Sequence, residues 1–177
     1  MSLAGNSCFL DTSFILGALV YHREKPSDAF TEILLQEVPI FINVVVLSEI
    51  LHVLENMYFQ EDNPGPFTDG RDKNQKFKAW RKAQAGSYIT VLKEYRSIID
   101  ILKITHNIQL IPLEGIDDDP YILLNEKQKF PPLDANDCIH YLSAKNWAND
   151  IDLLVNSDSD FSIIDSENKP PMNHSIF

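Results

Sequence analysis

Short apolar runs along this chain alternate with longer stretches in which apolar side chains return every three or four positions. Four runs, residues 7–12, 38–42, 108–113 and 153–156, predict buried β-strands. A short apolar helix follows the first, from Ser13 to about Val20. Ser27 is placed to cap a helix through Gln36, with Phe30, Ile33 and Leu34 at helical spacing. Asn43 is placed to cap another, carrying Val46, Leu47, Ile50, Leu51 and Leu54 on one face. A loop rich in Pro, Gly and Asp covers residues 60–71. Beyond it, Phe77, Trp80, Tyr88, Leu92, Tyr95, Ile98, Ile99 and Leu102 mark long helical character, which Gly86 divides in two. Asp117-Asp118-Asp119-Pro120 suits another helix start, since acids favour the positive end and Pro is tolerated in a first turn. Pro131-Pro132 breaks the chain before a helix over residues 134–147. The tail, residues 166–177, reads as irregular.

Strands that alternate with helices in this way predict an α/β fold: a three-layer α/β/α arrangement around a parallel sheet of four or five strands, Rossmann-like in topology. The 177 residues suit one domain over residues 1–165, with a helical, basic insertion around 60–103. No apolar run approaches the roughly 18–20 residues that span a bilayer. No basic region with a signal-length apolar segment opens the chain, so the expectation is a cytoplasmic protein with no membrane contact. Cys8 and Cys138 form neither a disulfide framework nor a zinc pattern, and both read as buried thiols. A formal charge of −11 argues against a protein that coats nucleic acid nonspecifically, but not against a nuclease whose site holds cations.

Four acids carry the candidate chemistry. Asp11 closes the run Cys8-Phe9-Leu10, and Asp158 follows the run Leu153-Leu154-Val155. Glu49 and Asp137 stand early in two helical patterns. In right-handed strand–helix units each helix starts near the carboxyl end of its strand, so all four meet at the edge where open α/β folds bind ligands. Each has a second reading. Asp137, three residues after Asp134, has the spacing of a capping box. Glu49 reads equally as a solvated helix residue, and Asp11 and Asp158 as turn formers. Their conjunction is what points to a site, and clustered carboxylates without thiols point to a hard divalent cation.

The motifs around these acids resemble a known family. Phe9-Leu10-Asp11-Thr12-Ser13 is similar to the opening signature of PIN-domain ribonucleases, and Leu47-Ser48-Glu49-Ile50 to their second acidic motif. Asp137-Cys138-Ile139-His140 resembles the third. Val155-Asn156-Ser157-Asp158-Ser159-Asp160-Phe161 resembles the last, with Asn156 where the family often has Thr. The resemblance spans about residues 7–165 and is VapC-toxin-like. It implies a metal-dependent endoribonuclease using Mg²⁺ or Mn²⁺. It implies Asp11 and Asp158 as principal ligands, Asp137 completing the site directly or through water, and Glu49 binding metal or orienting the nucleophilic water. Ser13, Asn156, Ser157 and Asp160 are auxiliary candidates. The resemblance further implies an RNA substrate, an antitoxin protein as partner and a homodimer. The alternative is a non-catalytic PIN-like subunit that binds RNA or serves as a scaffold.

Other constellations fit less well. Glu49-x-x-His52 and Asp137-x-x-His140 have the spacing of di-iron carboxylate bundles, but apolar strands and strand-end acids do not suit four long helices. His52 and His140 read instead as packing residues or as supports for the acids. An aspartyl-phosphate phosphatase would need a second Asp two residues after Asp11. No Gly-rich phosphate loop is present. Arg71, Lys73, Lys76, Lys78, Arg81 and Lys82, with Asp72 as the only acid among them, place +5 within twelve residues of a strongly negative chain. This is the candidate RNA-backbone contact. Phe77 and Trp80, interleaved with these bases, read as core residues.

Overall fold

A computed structural model describes residues 6–83, 86–104, 108–113, 121–167 and 172–176. The chain divides into two compact units, Met1–Leu47 with Thr105–Phe177, and Ser48–Ile104. The first contains the sheet. Its strands are β1 (Cys8–Leu10), β2 (Ile40–Ile42), β3 (Ile108–Leu110), β4 (Leu153–Asn156) and β5 (Met172–Ser175), ordered β3-β2-β1-β4-β5. All four pairings are parallel. β1 is central, and Cys8, Phe9 and Leu10 are fully buried. β4 is buried throughout, whereas β3 at one edge leaves Leu110 59% exposed. A strand covered on both faces has no polar side to display, which is why β1, β2 and Leu153–Val155 of β4 appear in the sequence as unbroken apolar runs.

Helices carry the chain between the parallel strands and flank the sheet as a three-layer α/β/α fold. α1 (Thr12–Leu19) and α2 (Glu24–Leu35) lie between β1 and β2. α3 (Val44–Asp62), α4 (Gly70–Ala83) and α5 (Gly86–Ile104) lie between β2 and β3. α6 (Ile122–Lys129) and α7 (Ala135–Asn146) precede β4, and a 3₁₀ helix, Ser159–Glu167, precedes β5. Among the described residues no helix is long and apolar enough to cross a membrane.

Several elements depart from the sequence expectation. α2 starts at Glu24, not after Ser27, and its N-cap Arg23 makes no side-chain capping bond. Pro26 therefore sits in the first helical turn, where a missing N–H costs nothing. Ser27 instead donates its hydroxyl to the Ala18 carbonyl at 3.1 Å. Pro26 also packs on Gly17, where a Cβ would come within 3.2 Å of its ring. α3 runs on to Asp62, which shortens the expected loop. The helix start expected at Asp117-Asp118-Asp119-Pro120 falls outside the described residues, and α6 follows it over Ile122–Lys129.

The expectation of an irregular tail is overturned. The 3₁₀ helix extends through Glu167, and Met172–Ser175 pair in register with Leu153–Asn156. β5 hydrogen-bonds to one neighbour at the sheet edge and does not need the apolar run that marks a central strand.

The second unit is helical. Phe59 is fully buried and stacks on Phe67 at 5.8 Å, meeting Phe77 at 4.9 Å and Trp80 at 5.9 Å edge-on. Tyr88 of α5 meets Trp80 edge-on at 5.3 Å. The Trp80 indole donates to Asp62 at 2.7 Å, and the Ser87 hydroxyl donates to the same carboxylate. Those two bonds hold the Asp62 carboxyl below its ordinary pKa. Trp80 is thus a core residue, as its spacing implied, while Phe77 is half-buried at the edge of the same cluster. Tyr58 ties α3 to α5 through Glu94 at 2.7 Å.

Candidate active site

Asp11 follows β1 and has extended backbone, so its side chain can serve as the N-cap of α1. Its Oδ2 accepts from the Ser13 N–H at 2.9 Å and from the Ser13 hydroxyl. Its own N–H donates to the Val155 carbonyl at 2.9 Å, which fixes it beside the end of β4. Asp11 is only 2% exposed. A carboxylate so placed is costly unless charge-assisted bonds or a cation satisfy it.

A buried polar network lies behind Asp11. Asn43 caps α3 by accepting from the Val46 N–H at 3.0 Å. Its amide nitrogen donates to Ser143 Oγ at 3.0 Å and approaches His140 Nδ1 at 3.4 Å. If Nδ1 accepts, the ring proton lies on Nε2, which faces Asp11 Oδ1 at 3.7 Å. Asn43, His140 and Ser143 are all buried, and Phe9 packs against the imidazole. The support role expected of His140 matches this geometry. The Asn43–Ser143 link was not foreseen, and its only sequence signal is that Asp137, His140 and Ser143 (and so one face of α7) recur at intervals of three.

Asp137 occupies the first turn of α7 and completes the expected capping box. Asp134 accepts from the N–H groups of Asn136 and Asp137 at 2.7 and 2.9 Å, while Asp137 Oδ2 accepts from the Asp134 N–H at 2.8 Å. Its Oδ1 takes no hydrogen bond among the described residues. Burial is the main force that raises the Asp137 pKa from 3.8 to about 6, opposed by the Asp134 N–H. The negative charges of Asp134 and Asp11 raise it further, and His140 lowers it. Asp137 thus feels Asp11 across the site, the signature of crowded carboxylates.

Asp158 follows β4. Its N–H donates to Asn156 Oδ1 at 3.1 Å, and its Oδ1 accepts from the Asp160 N–H at 2.9 Å. Ser157 joins this loop to α1, its N–H donating to Ser13 Oγ at 3.0 Å. Ser13 therefore bridges the Asp11 and Asp158 segments. The Ser157 hydroxyl oxygen is buried with no hydrogen-bond partner among the described residues. Asn156 is fully buried and donates its amide to Asn173 of β5, so this position braces the sheet edge. Asp160 is exposed.

Glu49 lies half-buried in the second turn of α3 and belongs to the second unit. His52 is exposed and bonded to Asn56 on its own helix. Cys8 and Cys138 are buried free thiols, as expected, and burial pushes the Cys8 pKa up to about 12.

The candidate donors are all oxygens, the ligand type that a hard divalent cation takes. Asp137 and Asp158 each spend one carboxylate oxygen on a backbone N–H, and among the described residues no hydrogen bond is seen to the other. The unpartnered Ser157 oxygen lies in the same loop cluster. Among the described residues no three His, Cys, Asp or Glu side chains stand close enough to hold one ion in common.

The family model for the PIN domain matches residues 8–167. The chain is similar to a crystal structure of VapBC2 from Rickettsia felis bound to a DNA fragment from their promoter. The identity is 13%, the TM-score 0.50, and the match covers 96% of this chain and 98% of that one. At that identity the likeness concerns the fold. No match was found among curated proteins.

Proposed function

The chain belongs to the PIN-domain family, whose members are generally nucleases that use divalent metal ions, and on that premise we propose that it is an Mg²⁺- or Mn²⁺-dependent endoribonuclease. The observation that carries the reading is the buried Asp11 at the end of β1, whose charge adds to the burial that raises the Asp137 pKa to about 6. Asp11 caps α1 through one oxygen, but burial beside another acid is costly and a cation would offset it. A bound ion of this class supplies a Lewis acid for the scissile phosphate and a water more acidic than bulk.

The protein groups divide the remaining work. Asp11 is held in one orientation by Ser13, with His140 facing its second oxygen, and serves with Asp158 as a principal ligand. Asp137 completes the site through its Oδ1, directly or by way of water. Glu49 keeps the role its motif implies, binding metal or orienting the nucleophilic water. Ser157 offers a hydroxyl to a phosphate oxygen. Water adds across one phosphodiester bond, leaving two RNA fragments, one ending in a phosphate and the other in a free hydroxyl. Likeness of fold to VapBC2 supports an antitoxin protein as partner; the homodimer and the cytoplasmic setting rest on the family resemblance of the motifs alone.

Single-turnover cleavage of a labelled RNA with Mg²⁺, with Mn²⁺ and with EDTA tests the reading. Cleavage that needs the metal and disappears in Asp11→Asn is expected. RNA binding without cleavage in either metal would favour the scaffold reading, to which the absence of a preformed three-ligand cluster among the described residues lends weight.

A further inference from the structure

The six cations of α4 are not equivalent. Lys76 pairs with Asp72 at 3.1 Å and lies over the Phe67 ring, and Arg81 pairs with Glu55 and lies 4.4 Å over Phe77. Both are consumed in holding the helical unit together. Lys73 falls on the same side of the helix as the aromatics and is half-buried. Arg71, Lys78 and Lys82 are exposed and have no hydrogen-bond or ion-pair partner among the described residues.

These three recur at intervals of seven and four residues, which puts them on one face of α4. Along the helix axis they are separated by about 10 Å and about 6 Å, from the rise per residue. Exposed Asn74 and Gln75 flank the stripe, and Asp72, the only acid of the helix, is occupied by Lys76 and the Thr68 N–H. No described residue pairs with the three cations of the stripe. Arg71 even stands in the first turn, where the helix dipole disfavours a cation.

We propose that Arg71, Lys78 and Lys82 form a docking stripe for the phosphate backbone of single-stranded RNA. Charge complementarity selects a polyanion: α4 carries +5 in a chain of −11. The choice of RNA among polyanions rests on the nuclease reading above. Each cation takes one phosphate, and Asn74 and Gln75 offer neutral donors between them. Lys76 and Arg81 serve stability instead.

The test is fluorescence anisotropy with a labelled single-stranded RNA oligonucleotide over a range of salt concentrations. The protein is the full chain carrying Asp11→Asn, so that binding is read without cleavage. Adding Arg71→Gln, Lys78→Gln and Lys82→Gln together should weaken binding about tenfold or more and lower the salt slope by about 2, at roughly 0.7 per phosphate on a single strand. A control with the same charge change elsewhere, Lys25→Gln, Lys93→Gln and Lys103→Gln, should stay within about twofold, because a screened long-range field adds little. Unchanged affinity in the stripe variant, an equal loss in the control, or no RNA binding by the parent would each overturn the proposal. The same Gln variants on the otherwise native chain, assayed for cleavage with Mn²⁺, separate the two readings. A stripe that governs binding in a protein that never cleaves sinks the nuclease and keeps the stripe; cleavage with stripe-independent binding does the reverse.

Discussion

Charge is handled in opposite ways by the two units. In the sheet unit, Asp11, Asn43, His140, Ser143 and Asn156 are buried: Ser13 donates to Asp11, Asn43 donates to Ser143 beside His140, and Asn156 donates to Asn173. In the helical unit Arg71, Lys76, Lys78 and Lys82 stand exposed around an aromatic cluster of Phe59, Phe77 and Trp80, and the buried charge Glu55 is paired with Arg81. Buried charge is expensive and tends to persist where function needs it; exposed charge costs little and is free to set affinity. Loss of an acid in the first unit should therefore remove activity without removing the fold. Loss of an aromatic in the second should do the opposite.

The largest effect expected is on the aromatic hub. Phe59→Ala should lower unfolding free energy by about 3–5 kcal/mol, as large truncations in packed cores do. Urea denaturation measures it, and a loss below about 1 kcal/mol would mean the cluster is not a core. Asp11→Asn should come next, reducing metal-dependent cleavage about 100- to 1000-fold, the scale of removing one key electrostatic group from an active site. Its melting temperature should hold or rise, because Asn caps a helix as well as Asp. A variant that unfolds would blur the division between the units.

Asp137 gives a smaller, pH-dependent effect. Its folded pKa of about 6 lies above the unfolded 3.8, so the native state binds this proton more tightly. The resulting stability is fully present below the unfolded pKa and is lost as pH rises through about 6. Asp137→Asn should flatten that dependence in EDTA and leave the metal-free protein more stable at pH 7 by about 1 kcal/mol, after allowance for solvent screening of a half-buried group. Thermal melts from pH 4 to 8 would show it. A parallel pH profile in wild type and variant would contradict the raised pKa. The smallest effect belongs to Lys76→Gln, worth about 0.3–0.5 kcal/mol as an exposed i,i+4 pair, and visible in urea midpoints.

What could be read from the sequence was local. β4 and the caps at Asn43 and Asp134 depend on residues close together in the chain, and the structure places them as the pattern implied. Ser27 misled because its hydroxyl found the Ala18 carbonyl on a neighbouring helix, a contact set by tertiary packing. β5 was hidden by its polar composition, since an edge strand needs ladder bonds more than apolar faces. In the candidate site, the acids were legible as strand-end and helix-start positions, but the Asn43–His140–Ser143 network spans about a hundred residues and has no local signature. The charge excess of α4 was legible as a count. Which cations are engaged was not, because their partners Glu55, Phe67 and Phe77 come together only in the folded helical unit.

The most direct test of the central claim, that the sheet-edge acids exist to hold a cation, is a crystal structure grown with Mn²⁺ and phased for its anomalous signal. The account predicts a peak within ligand distance of Asp11 and Asp158, with Asp137 bound directly or through one water, and no peak in Asp11→Asn crystals. Full Mn²⁺ occupancy elsewhere, or well-separated carboxylates with no peak between them, would contradict it.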